Sequence, residues 1–163
     1  MKKLPGCLLL LILAATLAAA QTVQDPASAA SDQPNFLEGV KSTIGKYLGH
    51  PYVWGATGFK SFDCSGFVWR VLYENGVLMK RTTARKLYMI LPVAKKEEQW
   101  NFGTLIFFDD LTHVGIVDSA QAFYHAQMIH GTERSPMTPF WRRKIYGFRT
   151  LPMRPQSSEK STD

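Results

Sequence analysis

The chain has 163 residues, of which 45% are hydrophobic and 12% aromatic, enough to fill the core of one domain. This composition excludes a wholly disordered chain and a collagen-like one, and two cysteines are too few for a disulfide scaffold. The net charge of +6 suits anionic surroundings, whether nucleic acid, anionic lipid or a cell-wall polymer, without choosing among them.

Residues 1–20 have the three parts of a cleaved signal peptide. Two lysines precede an apolar run at 8–17, and three alanines at 18–20 form a small-residue cleavage site. The run is short for a membrane span, so we predict an exported protein, periplasmic or secreted, with no stable membrane insertion after cleavage. An uncleaved N-terminal anchor is the alternative. Cleavage removes Cys7 and leaves Cys64 without a disulfide partner.

One domain is predicted over residues 35–151, between a flexible linker at 21–34 and a disordered tail at 152–163. Apolar residues at helical spacing predict three helices, which begin near Asn35, Cys64 and Thr83. Four strands are predicted after them, at residues 104–108, 113–117, 122–129 and 146–151. Helices followed by antiparallel strands favour an α+β fold over a doubly wound sheet.

The chemistry converges on Cys64, which opens the second predicted helix after Asp63 as its N-cap. A helix N-terminus carries partial positive charge and free N–H groups, which favour a thiolate and can bind an oxyanion. Gly66 permits a close approach of backbone or substrate. We therefore predict that Cys64 is a nucleophile; a buried, inert thiol is the alternative.

A cysteine nucleophile needs a base and a group that orients the base. His113 and His125 lie on strands joined by about four residues, and folding about the loop centre places His113 opposite a position near 125 or 126. With both rings on one face, His113 is the base and His125 holds its tautomer, whereas a one-residue slip would separate them. A zinc site formed by Cys64 and the two histidines is an alternative, although the sequence lacks paired ligands at short spacing.

Two blocks of sequence, Pro51-Tyr52-Val53-Trp54-Gly55 and Phe62-Asp63-Cys64-Ser65-Gly66-Phe67-Val68, resemble the NlpC family of cell-wall cysteine peptidases. Further matches are Leu105-Ile106-Phe107-Phe108, His113-Val114-Gly115-Ile116-Val117 and Tyr124-His125-Ala126. They occur in the family's order and cover the chain from about Tyr47 to Arg149. The resemblance implies a papain-like α+β fold, in which the helix bearing the nucleophile packs on an antiparallel β-sheet.

The resemblance also implies roles for individual residues. The implied catalytic residues are Cys64 as nucleophile, His113 as base and His125 as the orienting residue. Tyr52 would lie beside the thiol, Asp63 and Ser65 would line the site that receives the substrate, and Trp54 would support the site structurally. No metal and no organic cofactor is implied.

The activity implied by the resemblance is hydrolysis of amide bonds in peptidoglycan stem peptides, between γ-D-glutamate and a diamino acid. The alternatives are cleavage of the D-alanyl–diaminopimelate cross-link, an amidase or acyltransferase with the same triad, and a catalytically silent wall-binding module. We expect a monomer whose activity falls at low pH as a thiolate–imidazolium pair is lost. Export and the lack of a basic–aromatic recognition motif argue against nucleic acid as a partner.

Three positions depart from the family's pattern. Ala56 stands where a second glycine is usual, Gly103-Thr104 lacks the usual acid, and Lys80-Arg81-Thr82 lacks the usual proline. None of them touches the implied triad. They affect the shape of the substrate groove, and therefore the choice of bond.

Overall fold

The structure is a computed structural model that describes residues 26–152. Its helices are α1 (Pro26–Tyr47), α2 (Cys64–Glu74), α3 (Ala84–Ile90) and α4 (Pro139–Arg143). Its strands are β1 (Leu105–Phe108), β2 (His113–Ser119), β3 (Ala122–Gln127), β4 (Gly131–Pro136) and β5 (Ile145–Arg149). The five strands form one antiparallel sheet in the order β4-β3-β2-β1-β5, which confirms the predicted α+β class.

The first helix differs from its prediction at the N-terminal end. It begins at Pro26, not near Asn35, so residues 26–34 are helical where a flexible linker was predicted. Proline is favourable in the first turn of a helix, and the alanines that follow are the strongest helix formers. The predicted signal peptide (1–20) and the predicted tail from residue 153 onward lie outside the described residues.

Helix α2 packs its apolar face against one side of the sheet. Val68, Val71 and Leu72 of this helix are fully buried, in one cluster with Val114 and Ile116 of β2. A second cluster, centred on Phe108, Phe123 and Phe148, lies apart from the first and includes Trp141 of α4. The start of α2 is thereby fixed against β2, the strand that begins with His113.

Two elements were not predicted, β4 and α4. The third predicted strand, at residues 122–129, ends at Gln127 and turns back into β4. β4 reads Gly-Thr-Glu-Arg-Ser-Pro, a polar sequence with little strand propensity, and it exists because it pairs along all of β3. Among residues 26–152, no helix has the length and apolar character needed to cross a membrane.

Candidate active site

Cys64 is the first residue of α2, as predicted. Asp63 is the N-cap, and its Oδ1 accepts a hydrogen bond of 2.6 Å from the N–H of Gly66. The thiol is 6% exposed, and its Sγ lies 3.8 Å from the carbonyl oxygen of Thr112. Because Thr112 directly precedes His113, the helix start and the beginning of β2 meet at the thiol.

The approach to the helix is set by Gly66. A Cβ at this position would lie much closer to the Ala56 carbonyl oxygen than van der Waals contact permits. The same oxygen accepts a hydrogen bond of 3.2 Å from the N–H of Asp63. The close approach at Gly66 that the sequence indicated is therefore made by the backbone of Ala56. This contact packs the 51–62 loop against the first turn of α2.

Asp63 also holds Arg81, which the sequence analysis gave no role. The guanidinium Nη2 of Arg81 lies 2.6 Å from each carboxylate oxygen. The carboxylate further accepts the Ser65 hydroxyl at 3.0 Å and the Gly55 N–H at 2.9 Å. Asp63 and Ser65 are both buried, so a direct bond from Asp63 to substrate would have to displace one of these partners.

The resting thiol differs from the predicted thiolate. Burial raises the pKa of Cys64, and the negative charge of Asp63 adds to the rise. Hydrogen bonds from the N–H groups of Val114 and Ser65, and the charge of Arg81, lower the pKa without reversing the shift. The helix N-terminus thus acts in the expected direction, but burial outweighs it.

The two predicted histidines meet on one face of the sheet. His113 Nε2 lies 2.8 Å from His125 Nδ1, and the rings are nearly perpendicular at 85°. They are not directly opposed as predicted, because β2 and β3 pair as Ile116↔Tyr124 with a bulge after Val117. Extending this register places Gly115 opposite His125. The missing side chain at Gly115 leaves room for the rings to meet diagonally, and a Cβ there would lie 3.4 Å from that of His125.

His113 is enclosed by an aromatic residue that the sequence analysis did not assign to the site. Trp141 of α4 stacks on the His113 ring at 5.7 Å and 24°, and meets His125 edge-on at 5.2 Å. Burial lowers the pKa of His113 to about 4; the charge of Asp109 opposes the shift and that of Lys144 adds to it. Burial also lowers the pKa of His125. The thiol and both imidazoles are therefore neutral at pH 7.

The turn before His113 has unusual backbone. Asp109, Asp110 and Leu111 all have positive φ, between 48° and 71°, although none is a glycine. Such backbone persists where its surroundings hold it. Lys144 contacts the carboxylate of Asp109 at 2.9 Å, and Arg85 donates to the carbonyl of Asp110 at 2.9 Å. These bonds fix the segment that carries Thr112 to the thiol.

Two polar residues of β4 stand behind His125, and sequence reasoning missed both because β4 itself was missed. Ser135 Oγ lies 2.9 Å from His125 Nε2 and donates to Glu133 Oε1 at 2.7 Å. His125 is fully buried and Ser135 is 7% exposed. Both ring nitrogens of His125 are bonded, to His113 and to Ser135, and the described residues hold no cluster able to bind a metal ion.

The remaining predicted residues lie on the 51–62 loop. Tyr52 is half-buried. Burial raises the pKa of its hydroxyl, and the charge that Cys64 carries in alkaline solution and the charge of Asp63 raise it further. Its backbone bridges to Phe62, just before the N-cap of α2. Trp54 was predicted as structural support, but it is 84% exposed and packs little of its surface. It is therefore available to a ligand at this rim.

The sequence profile of the NlpC/P60 family matches residues 49–150. Probable endopeptidase p60 of Listeria seeligeri is 39% identical over 113 residues, which are 63% of this chain and 20% of the relative. The probable peptidoglycan endopeptidase LytE of Bacillus subtilis is 29% identical over 61% of this chain and 30% of its own length. A lipoprotein-like NLP/P60 family structure from Staphylococcus aureus superposes with a TM-score of 0.63 at 29% identity, over 72% of this chain and 41% of that one.

Proposed function

Since the chain belongs to the NlpC/P60 family, we propose that it is a cysteine peptidase that cleaves peptidoglycan stem peptides between γ-D-glutamate and a diamino acid. The name of the Bacillus subtilis relative supports peptidoglycan as the substrate. This chain spans less than a third of the length of either curated relative, so activity and substrate are our proposal for it.

One observation carries the proposal: a buried thiol at a helix N-terminus lies against the strand whose first residue, His113, is bonded to His125. A thiol, a base and an orienting group are the parts that acyl transfer by cysteine requires. Each part comes from a different element of the fold, so the arrangement depends on the whole domain.

The mechanism starts from a neutral pair. His113 Nε2 is engaged by His125, which leaves Nδ1 to take the thiol proton as Sγ of Cys64 attacks the scissile carbonyl. The Asp63 side chain caps Gly66, which leaves the N–H of Cys64 for the oxyanion. The N–H of Ser65 donates to the resting sulfur and can turn to the oxyanion once that sulfur is acylated. His113 then protonates the leaving amine, and an acyl-enzyme remains. Water, deprotonated by His113, attacks that thioester and breaks its C–S bond, which releases the acid. The proton held by His113 then returns to Sγ of Cys64 and restores the neutral pair.

Substrate contacts are proposed for the 51–62 loop and the start of α2. The charge of Cys64 reaches the Tyr52 hydroxyl, which supports a role for Tyr52 beside the thiol. We assign Ser65 and Asp63 to the substrate side of the first turn of α2, and the exposed ring of Trp54 to a substrate contact. Asp63 acts mainly through the partners it holds, Arg81 and Gly55. We propose an exported monomer that acts on stem peptides, needs no cofactor and does not bind nucleic acid.

The test is digestion of purified peptidoglycan and defined stem-peptide fragments, with the new termini read by mass spectrometry. We expect the wild type to cleave the γ-D-glutamyl bond and Cys64→Ala to cleave nothing. Ser42→Ala, which shortens an exposed side chain on α1, is the matched control and should cleave like the wild type. Cleavage of the D-alanyl–diaminopimelate bond would support the cross-link alternative. Products that carry an added acceptor, in place of water, would identify an acyltransferase. Wall binding without any product by the folded, reduced protein would identify a silent binding module.

A further inference from the structure

A chain of hydrogen bonds continues from the two histidines to a carboxylate on β4. It runs from His113 Nε2 to His125 Nδ1 at 2.8 Å, and from His125 Nε2 to Ser135 Oγ at 2.9 Å. It ends with a bond of 2.7 Å from the Ser135 hydroxyl to Glu133 Oε1. Glu133 pairs directly with His125 across β3 and β4, so the same sheet register that places His125 also places the carboxylate.

The carboxylate end of the chain is an acceptor only. The side-chain amide of Gln127 donates to the same oxygen, Glu133 Oε1, at 2.8 Å. Burial opposes ionisation of Glu133, but hydrogen bonds from Ser135 and Gln127 overcome it and lower the pKa of the carboxyl. An ionised carboxylate has no hydrogen to donate, so the Ser135 hydroxyl must point its hydrogen toward Glu133.

That one direction decides the tautomer of both rings. Because Ser135 donates to Glu133, its oxygen accepts from His125, which places the proton of His125 on Nε2. A neutral imidazole carries one N–H, so His125 Nδ1 is a bare acceptor and the proton of His113 lies on Nε2. His113 Nδ1 is then unprotonated, as a base that takes the proton of the thiol must be.

We propose that Ser135 and Glu133 are positioning residues, which fix the tautomers of His125 and His113 so that His113 Nδ1 is free to accept a proton. The inference rests on the proposed function for its kinetic consequence, but the tautomers are a property of the resting protein. Glu133 also places a negative charge at one end of this series of hydrogen bonds, and the His113 imidazolium that forms during attack lies at the other end. A purely structural role, as a polar pair at the sheet edge, would leave both tautomers unchanged.

The direct test is ¹⁵N-edited NMR of the imidazole nitrogens in the purified protein at pH 7. In the wild type we expect the proton of His113 on Nε2 and a bare Nδ1. Glu133→Gln is nearly isosteric, and its amide can donate to Ser135, which permits the whole chain to reverse. We expect part of the His113 proton to move to Nδ1 in this variant. The shift should be smaller in Ser135→Ala, where Glu133 Oε1 still lies 3.5 Å from His125 Nε2, while Ser135→Thr, which keeps the hydroxyl, retains the wild-type spectrum. Unchanged tautomers in Glu133→Gln and Ser135→Ala would overturn the proposal.

The kinetic test uses the same variants on the substrate that the wild type cleaves. Outer hydrogen-bond partners of metal-ligating histidines typically contribute about 10–100-fold to activity, and we expect the same range for the partners of these two histidines. We expect a loss of this size in kcat, with KM little changed, for Ser135→Ala, and recovery of most of it in Ser135→Thr. Arg134→Ala is the matched control, since it removes a charge from the neighbouring position on β4, where Arg134 pairs with Asp118. Equal losses in Arg134→Ala and Ser135→Ala would contradict the proposal.

The two tests fail separately. A wild type that cleaves no peptidoglycan would refute the proposed function, while its NMR spectrum would still report the tautomers. Active protein with the His113 proton on Nδ1 would refute the chain of hydrogen bonds and leave the peptidase intact.

Discussion

The candidate site has two halves that are built in different ways. The helix half consists of the 51–62 loop and residues 63–66 with their partner Arg81. Most of its bonds join residues close in sequence, such as the hydrogen bond from Gly66 to Asp63. The sheet half consists of His113, His125, Ser135 and Glu133, which lie on three strands and meet only through strand register. One half is fixed by local bonds, the other by the way distant segments pair.

This difference determines how each half can fail. Loss of a partner in the helix half unseats the nucleophile and leaves an uncompensated charge beside it. A slip or spread of the strands in the sheet half leaves every side chain present but separates the rings, because their contact depends on a diagonal across β2 and β3. Substitutions in the helix half should therefore cause the largest losses in the free energy of unfolding. Substitutions in the sheet half should lower activity by more than their loss of stability explains.

The largest effect on stability is expected from Arg81→Met. The change keeps much of the volume but removes the cation that contacts both oxygens of Asp63, whose side chain is 10% exposed. Breaking a largely buried pair in this way costs about 3 kcal/mol of the free energy of unfolding. Urea denaturation at pH 7 measures this cost. The matched control is Arg134→Met, which breaks an exposed pair with Asp118 and should cost at most about 1 kcal/mol. Equal costs for the two variants would show that the helix half does not depend on this pair.

The same division decides what could be predicted from sequence. The start of α2 at Cys64 and its cap by Asp63 were predicted correctly, because an N-cap depends only on hydrogen bonds between residues close in sequence. The pairing of His113 with His125 was predicted, but their diagonal placement was not, because a bulge after Val117 shifts the register. Nothing local predicts a bulge of this kind.

The residues missed altogether are held by contacts distant in sequence. Ser135 and Glu133 lie on a polar strand that only its pairing with β3 stabilises. Trp141 reaches His113 from α4, an element too short to leave a helical pattern in the sequence. The thiol was expected to be a thiolate because its helix position was visible in the sequence while its burial was not.

The next largest effect tests the sheet half. Gly115→Ala would place a Cβ 2.8 Å from a ring carbon of Phe123 and 2.8 Å from the carbonyl oxygen of Tyr124. Relief of this overlap requires β3 to move away, at a cost of about 1–3 kcal/mol in the free energy of unfolding. The movement also lengthens the contact between the histidines, so we expect kcat to fall further than the stability loss explains. Gly45→Ala on α1 is the control, because a Cβ there meets nothing within 4 Å. Full activity in a destabilised Gly115→Ala protein would show that the site does not depend on the space left by the missing side chain at Gly115.

The smallest effect is a loss of stability in mild acid that arises in the sheet half alone. Burial holds the pKa of His113 at about 4, below the ordinary value of 6.5, and lowers that of His125 as well. The unfolded chain therefore binds protons first as pH falls, and the stabilisation present above pH 6.5 is progressively lost toward pH 4. Between pH 6.5 and pH 5.5 we expect the fully buried His125 to contribute a decrease of about 1 kcal/mol, and the partly exposed His113 to add a smaller one, both measured by urea denaturation.

The Cys64 thiol contributes nothing to this decrease, because its pKa is raised from an ordinary value of 9.0. The thiol therefore stays protonated in both the folded and the unfolded chain across this range of pH. His113→Asn should reduce the decrease and leave the part due to His125, whereas Cys64→Ala should leave it unchanged. A decrease that disappears in Cys64→Ala would mean that the thiol and imidazole share a proton in the resting protein, as the thiolate–imidazolium pair expected from the sequence requires. The acid dependence of stability thus distinguishes a neutral resting pair from an ionised one without any substrate.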